Sequence, residues 1–195
     1  MIAAAREAVD LLVQAGNTWH FDGTRQGLHD RDWMALRFLA RANRFSRTPS
    51  ALAQFVGLTR ATVSQMVKDL EGKGYLERRR SPIDKRSVTL AVTPQGERIL
   101  AGDPIKPLVN AIFALEPGAN KFRDILRQVL DGLSTTQHSH HADTCKDCIF
   151  LAGKAPELPR KMQAEFTCRF FRAGITRGEL DLLCVNFERR ESRKR

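Results

Sequence analysis

The first 144 residues of this 195-residue chain contain no cysteine; all four cysteines fall between Cys145 and Cys184. No run of about 18 apolar residues occurs, so no helix of ordinary length is expected to span a membrane. The N-terminus lacks a signal-peptide core. Instead, Ile2, Ala5, Val9, Leu12 and Val13 recur at helical spacing, with Arg6, Glu7 and Asp10 between them. That pattern predicts an amphipathic packing helix in a chain of the cytoplasm, where stable disulfides are rare. Also missing are an internal repeat, a glycine-rich nucleotide loop, a paired-carboxylate motif and a nucleophile motif, so an enzyme is not expected.

What the chain has in excess is positive charge. The formal net charge is +10 and the isoelectric point about 10.0. Between Arg31 and Arg98, fourteen Lys or Arg face six acids. Charge of this sign attracts polyanions, and concentration in one segment favours a phosphate footprint over a generally solvated surface.

That segment has a readable order. Asp30 to Ala42 predicts a helix with Trp33, Leu36, Leu39 and Ala40 inward. Asn43 to Ser50 reads as a connector, in which Thr48 caps the next helix and Pro49 takes its first position. Gly57 ends that short helix and Thr59 caps another, which runs to about Lys73. Two strands follow, near 75–80 and 87–92, joined by a turn at Ser81-Pro-Ile-Asp84. A further helix starts near Pro94 and breaks at Gly102-Asp-Pro104, and Asn120 to Leu133 predicts another.

On the helix after Thr59, the residues Val63, Met66, Val67 and Leu70 form one apolar stripe. Arg60, Thr62, Ser64, Gln65 and Lys68 lie off it. A helix with this outer face suits the major groove, where Arg or Lys reads guanine and Gln reads adenine. Ala53, Gly57, Val63 and Met66 add the spacing of a helix-turn-helix: a small residue for close approach, glycine for the turn, and two apolar locks.

From about Asp30 to Leu100 the chain resembles a winged helix of the MarR (multiple antibiotic resistance regulator) family. The resemblance is carried by Ala61-Thr-Val-Ser64, Leu70-Glu71, Gly74-Tyr-Leu-Glu-Arg78, Asp84-Lys-Arg86 and Val92-Thr-Pro-Gln-Gly96. It implies that Arg86 enters the minor groove from the wing tip, with Asp84 orienting the turn. Arg80, its neighbours Arg78 and Arg79, and Lys85 would add backbone contacts. A narrow minor groove concentrates negative potential, which a guanidinium exploits. The resemblance also implies a homodimer joined through terminal helices, those around Ala3–Gln14 and Asn120–Leu133. Such a dimer would read a pseudo-palindromic operator on double-stranded DNA.

The tail departs from that family pattern. After Ser134-Thr-Thr-Gln-His-Ser-His-His-Ala come Cys145, Cys148, Cys168 and Cys184, spaced C-x2-C-x19-C-x15-C. Four thiols in one short region predict one coordination site, and both zinc and iron–sulfur clusters accept four sulfur ligands. Five of the eleven phenylalanines lie in this tail, an apolar shell of the kind that tunes a cluster. Two solitary cysteines fit poorly with paired zinc knuckles, so the preferred reading is an iron–sulfur cluster, with zinc as the alternative. Cys168 is expected on a helix from about Pro159 to Arg172. Thr176-x-x-Glu179 is expected to open another, carrying Leu180, Leu183, Cys184 and Phe187 on one face. His138, His140 and His141 read as solvated linker residues.

The fold class expected is therefore mainly α with a small β-wing: a winged helix-turn-helix with helical dimerisation region and a C-terminal cysteine module. Residues 1–133 form the first part, with a DNA-binding core at about 30–100, and residues 134–195 form the module with its basic end. The function expected is a homodimeric transcriptional repressor that senses iron, oxygen or redox state. One rival is a MarR-like regulator of small-molecule response with structural zinc. A more distant one is a cysteine- or metal-dependent redox enzyme with a DNA-binding part.

Overall fold

The computed structural model describes residues 2–18, 20, 23–80, 87–137, 141–153 and 164–190. It opens with helix α1, Ile2–Asn17, then α2, Asp30–Arg41. The helix-turn-helix comes next as α3, Pro49–Val56, and α4, Arg60–Gly72. Strands β1, Leu76–Arg80, and β2, Val88–Val92, pair antiparallel with Leu76 opposite Val92 and Arg80 opposite Val88. Three helices complete this part: α5, Pro94–Leu100; α6, Lys106–Phe113; and α7, Gly118–Gln137.

The local signals that set these boundaries are visible as bonds. Thr48 accepts a hydrogen bond from the Ala51 amide at the start of α3, and Thr59 accepts one from Thr62 at the start of α4. Gly57 closes α3 at φ 66°, a left-handed value that costs a residue with a Cβ. Gly96 serves a different need. A Cβ there would stand 2.3 Å from the Tyr75 carbonyl oxygen, so only glycine lets α5 seat against the base of the wing. The Thr93 hydroxyl completes that seat by donating to the Gly74 carbonyl at 2.6 Å.

One apolar cluster fills the space between α2, α3, α4 and the two strands. Trp33, Leu36 and Leu39 enter it from α2, Leu52 from α3, Val63, Val67 and Leu70 from α4, and Leu76 and Leu90 from the strands. Their spacing puts a single stripe of each element inward, and this burial is the main stabilising term. Helices α1 and α6 are different. Neither buries a residue, and their apolar side chains remain on the surface together with those of α7.

The C-terminal region is β rather than helical. Strand β3, Asp143–Thr144, pairs with β7, Leu183–Cys184. Strands β4, Leu151–Ala152; β5, Phe166–Cys168; and β6, Ala173–Ile175, form a three-stranded antiparallel sheet. The helix expected to carry Cys168 is thus a strand and turn through residues 166–172, its earlier part (159–163) lying outside the described residues. The capping box at Thr176 and Glu179 does form, but it opens only a single 3-10 turn, Arg177–Glu179. Beyond that turn the chain alternates with period two. Leu183 and Val185 pack on the winged-helix core, while Cys184 between them joins the cysteine cluster. Two cores competing for alternate side chains require an extended chain, which is why the helix expected there does not form. Helix α7 also continues to Gln137, past the boundary expected at Ser134.

Candidate nucleic-acid interface and cysteine site

On α4 the apolar stripe is buried, and Arg60, Thr62, Ser64, Gln65 and Lys68 all lie on its exposed side, with Thr59 exposed at its cap. Some of these polar groups have internal work. The Thr59 and Thr62 hydroxyls share a 2.9 Å hydrogen bond, and the Gln65 amide donates to Asp69 at 2.8 Å. Arg60 and Lys68 extend outward as cations. A helix presenting cations and short hydroxyls beyond a buried stripe has the outline that fits a major groove.

Beside it stands the basic strand β1. Alternation turns Arg78 and Arg80 to one face and Arg79 to the other. Arg78 pairs with Glu71 at 3.3 Å and Arg79 with Glu77, so acids partly neutralise two of the three arginines; Arg80 is exposed. The wing-tip residues Asp84, Lys85 and Arg86 lie outside the described residues.

The four cysteines, distant in sequence, line one small cavity together with Asn43, Phe45, Phe150, Leu151, Phe170, Phe171, Ile175 and Asn186. Each reaches it from a different element. Cys145 and Cys148 flank a 3-10 turn in which the Cys148 amide donates to the Cys145 carbonyl at 3.1 Å. Cys168 ends β5 and Cys184 ends β7. All four are free thiols, and three of them are buried. Among the described residues, no group of three or more His, Cys, Asp or Glu side chains closes to the spacing that holds a metal ion. His138 and His140 lie outside the described residues. His141 faces Asp131 at 3.5 Å and does not line the cysteine cavity.

Burial pushes the Cys145 thiol up to about 11, against a smaller opposing pull from the Asn43 amide. Cys184 is raised by burial too, opposed by Asn43, the Asn186 backbone and Ser46. Desolvation disfavours the thiolate, and a bound cation favours it by taking the proton's place.

The module is tied to its neighbours on two sides. Toward α7, Arg127 pairs with Asp143 at 2.7 Å and Asp147 at 3.4 Å, and Arg189 bridges Asp131 and Asp143. Toward the helix-turn-helix, the Asn43 amide donates to the Leu183 carbonyl at 2.8 Å and the Val185 amide to the Ser46 hydroxyl at 3.1 Å. Gln54 on α3 reaches the Val185 carbonyl at 3.2 Å, and the rings of Phe45 and Phe171 stack with centroids 4.1 Å apart. This second set has no counterpart among the sequence expectations. Asn43 and Ser46 look like ordinary connector residues, and no local pattern ties them to a strand about 140 positions away.

A helix-turn-helix followed by a two-stranded ribbon is a winged helix, and the described chain is mainly α-helical around it. Residues 26–87, from the turn before α2 to the far side of the wing tip, match the MarR family model. The HTH-type transcriptional regulator YdcH of Bacillus subtilis is 36% identical over 85 residues, 43% of this chain and 58% of that protein. The transcriptional repressor MprA of Escherichia coli is 33% identical over 90 residues, 46% of this chain and 51% of that protein. The chain thus spans only a little over half the length of these curated relatives. Among solved structures, that of FabT of Streptococcus pneumoniae in complex with DNA is 26% identical, with a TM-score of 0.47 over 68% of this chain and 96% of that one. Among the described residues, no helix is long and apolar enough to cross a membrane.

Proposed function

We propose that this protein is a homodimeric, sequence-specific repressor that docks its winged helix on double-stranded DNA under control of a four-cysteine iron–sulfur centre. The observation that carries the DNA-binding reading is the outer face of α4: Arg60, Thr62, Ser64, Gln65 and Lys68, exposed together over a fully buried stripe and adjacent to the basic strand β1. The residues matched by the MarR family model, 26–87, include this segment.

The dimer reading is supported by apolar surface without a partner. Val9, Leu12 and Val13 on α1, Val109 and Phe113 on α6, and Ile125, Val129 and Leu133 on α7 are all exposed, Phe113 by 72%. Large apolar side chains left exposed along helices are candidates for burial against a partner, and two copies pairing through these helices would set two reading helices on successive turns of a pseudo-palindrome.

For the sulfur site, one cavity lined by four cysteines and an aromatic wall is the supporting feature. A single zinc needs every sulfur about 2.3 Å from one point. A cluster gives separate iron atoms to separate thiolates, which suits four sulfurs brought from separate elements to one cavity.

The test is anaerobic purification of the full chain, with metal and labile-sulfide quantification and a visible spectrum. The same preparation then selects duplexes from a random pool. Iron with sulfide and enrichment of a two-fold symmetric sequence are expected. One zinc per chain in a colourless protein would replace the sensing centre by a structural one. No enrichment of any duplex would refute the DNA reading.

A further inference from the structure

We propose that Asn43 is the positioning residue that reports the state of the four-cysteine site to the reading head; this rests on the regulated-repressor reading above and specifies its route. Asn43 is 1% exposed, and both ends of its side chain are engaged. The carbonyl Oδ1 accepts from the amides of Phe45 at 3.1 Å and Ser46 at 2.9 Å, which holds the turn that enters the helix-turn-helix. The amide Nδ2 donates to the sulfur of Cys145 at 3.5 Å. The orientation is determined by chemistry, because flipping the amide would set its N–H groups against two backbone N–H donors.

This side chain therefore joins two things that must communicate. On one side are the sulfurs. On the other is a connector of five residues, 43–47, bonded to the wing strand β2 and to the module and leading directly into α3. Its Arg47 carbonyl accepts from Leu90 in the wing strand at 2.7 Å, its Ser46 hydroxyl holds Val185, and Thr48 directly after it caps α3. Asn43 also donates its own backbone amide to Leu183, one residue before Cys184.

The physical basis for a signal is the difference between two acceptors. A neutral thiol is a weak hydrogen-bond acceptor, whereas a sulfur carrying thiolate charge is a strong one. Loading the site converts the first into the second and so strengthens the pull on Nδ2. Through Oδ1 that pull bears on the turn at Phe45 and Ser46, and from there on α3 and the wing. A ligand shifts a conformational equilibrium only through such a differential interaction. N–H donors to ligand sulfurs also set the potential of an iron–sulfur centre, so the residue has a spectroscopic and redox signature independent of folding.

The experiment compares wild type with Asn43→Ser and Asn43→Asp as full-length chains, reconstituted anaerobically with iron and sulfide. Both replacements keep an oxygen for the turn; an ionised Asp has no donor, and the Ser hydroxyl stands one bond short of the position from which Nδ2 reaches the sulfur. Wild type is expected to change its affinity for the selected duplex by about tenfold on loading, within the usual range of coupling between two sites. In the variants the loaded-to-unloaded ratio should fall below about threefold, and the reduction potential should fall, with iron per chain unchanged. A variant that keeps the wild-type ratio overturns the proposal. If neither variant folds, amide hydrogen exchange on wild type decides: protection at Phe45, Ser46 and Leu90 should rise on loading, and unchanged protection there overturns it. A wild-type chain that takes up no metal defeats the sensing reading itself, an outcome distinct from a loaded protein whose coupling survives without Asn43.

Discussion

The winged helix and the cysteine module are held together by different means. The winged helix is built around a cluster of 17 buried residues, all but Val185 from its own segment. Among the described residues, the module's own cluster has Cys145, Cys148, Cys184 and Phe187 as buried members, and its strands are two or three residues long. A region with so little apolar interior cannot stand without staples, a metal or a neighbour. It borrows from its neighbour by inserting Val185 into the larger core and bonding Leu183 to Asn43. One region is therefore stable by its own pattern, while the other depends on what it touches and on what its sulfurs hold.

The largest expected effect breaks the dependent half. Cys184→Ser should abolish stoichiometric iron and sulfide uptake and leave the α2–α4 core folded. Metal quantification with helical circular dichroism checks both parts, and uptake equal to wild type would remove Cys184 from the site. The converse experiment breaks the self-sufficient half. Leu70 is fully buried at the end of α4, so Leu70→Ala should cost about 2–5 kcal/mol of unfolding free energy. A denaturant titration giving less than about 1 kcal/mol would mean the site collapses around the deletion without penalty.

A smaller effect is expected at the surface proposed to meet DNA. Arg86→Ala should weaken binding of the selected duplex about tenfold, near 1.4 kcal/mol, with folding intact. Arg60→Ala should lower the slope of log affinity against log salt by about 0.9 if it neutralises one phosphate. Gel-shift titrations at several salt concentrations separate the two.

The smallest effect sharpens the comparison in the chelator-stripped protein. The folded-state value of Cys145 lies above its unfolded one, so its contribution to stability is complete below the ordinary thiol value of 9.0 and is lost as pH rises to about 11. The unfolding midpoint should fall across that window, and by less in Cys145→Ala. An identical pH dependence in the two proteins would contradict the assignment of Cys145 as a buried neutral thiol.

How much of the molecule is legible without tertiary structure differs between the same two regions. Thr48 and Thr59 as caps, Gly57 as a left-handed terminator and the stripe from Val63 to Leu70 act over a few residues, so their roles follow from local chemistry. Cys184 reads as helical because Thr176 and Glu179 make a real capping box and Leu180, Leu183 and Phe187 fit a helical stripe. The stripe is misleading: Leu183 and Cys184 face different cores, a fact that spacing alone does not contain. The cysteine spacing marks four residues as a group, and the fold brings all four to one cavity.

The sequence by itself determined the elements of the winged helix, the orientation of α4 with Arg60, Ser64, Gln65 and Lys68 outward, and the grouping of the four cysteines. These depend on periodicity and caps, which are short-range. Only the tertiary structure decided that the module is built of strands, that it leans on both α7 and the helix-turn-helix, and that Asn43 stands between the sulfurs and the connector to α3. Those depend on contacts between segments 16 to 139 positions apart, where loop closure and competition between two cores choose the partner, and no local pattern encodes that choice.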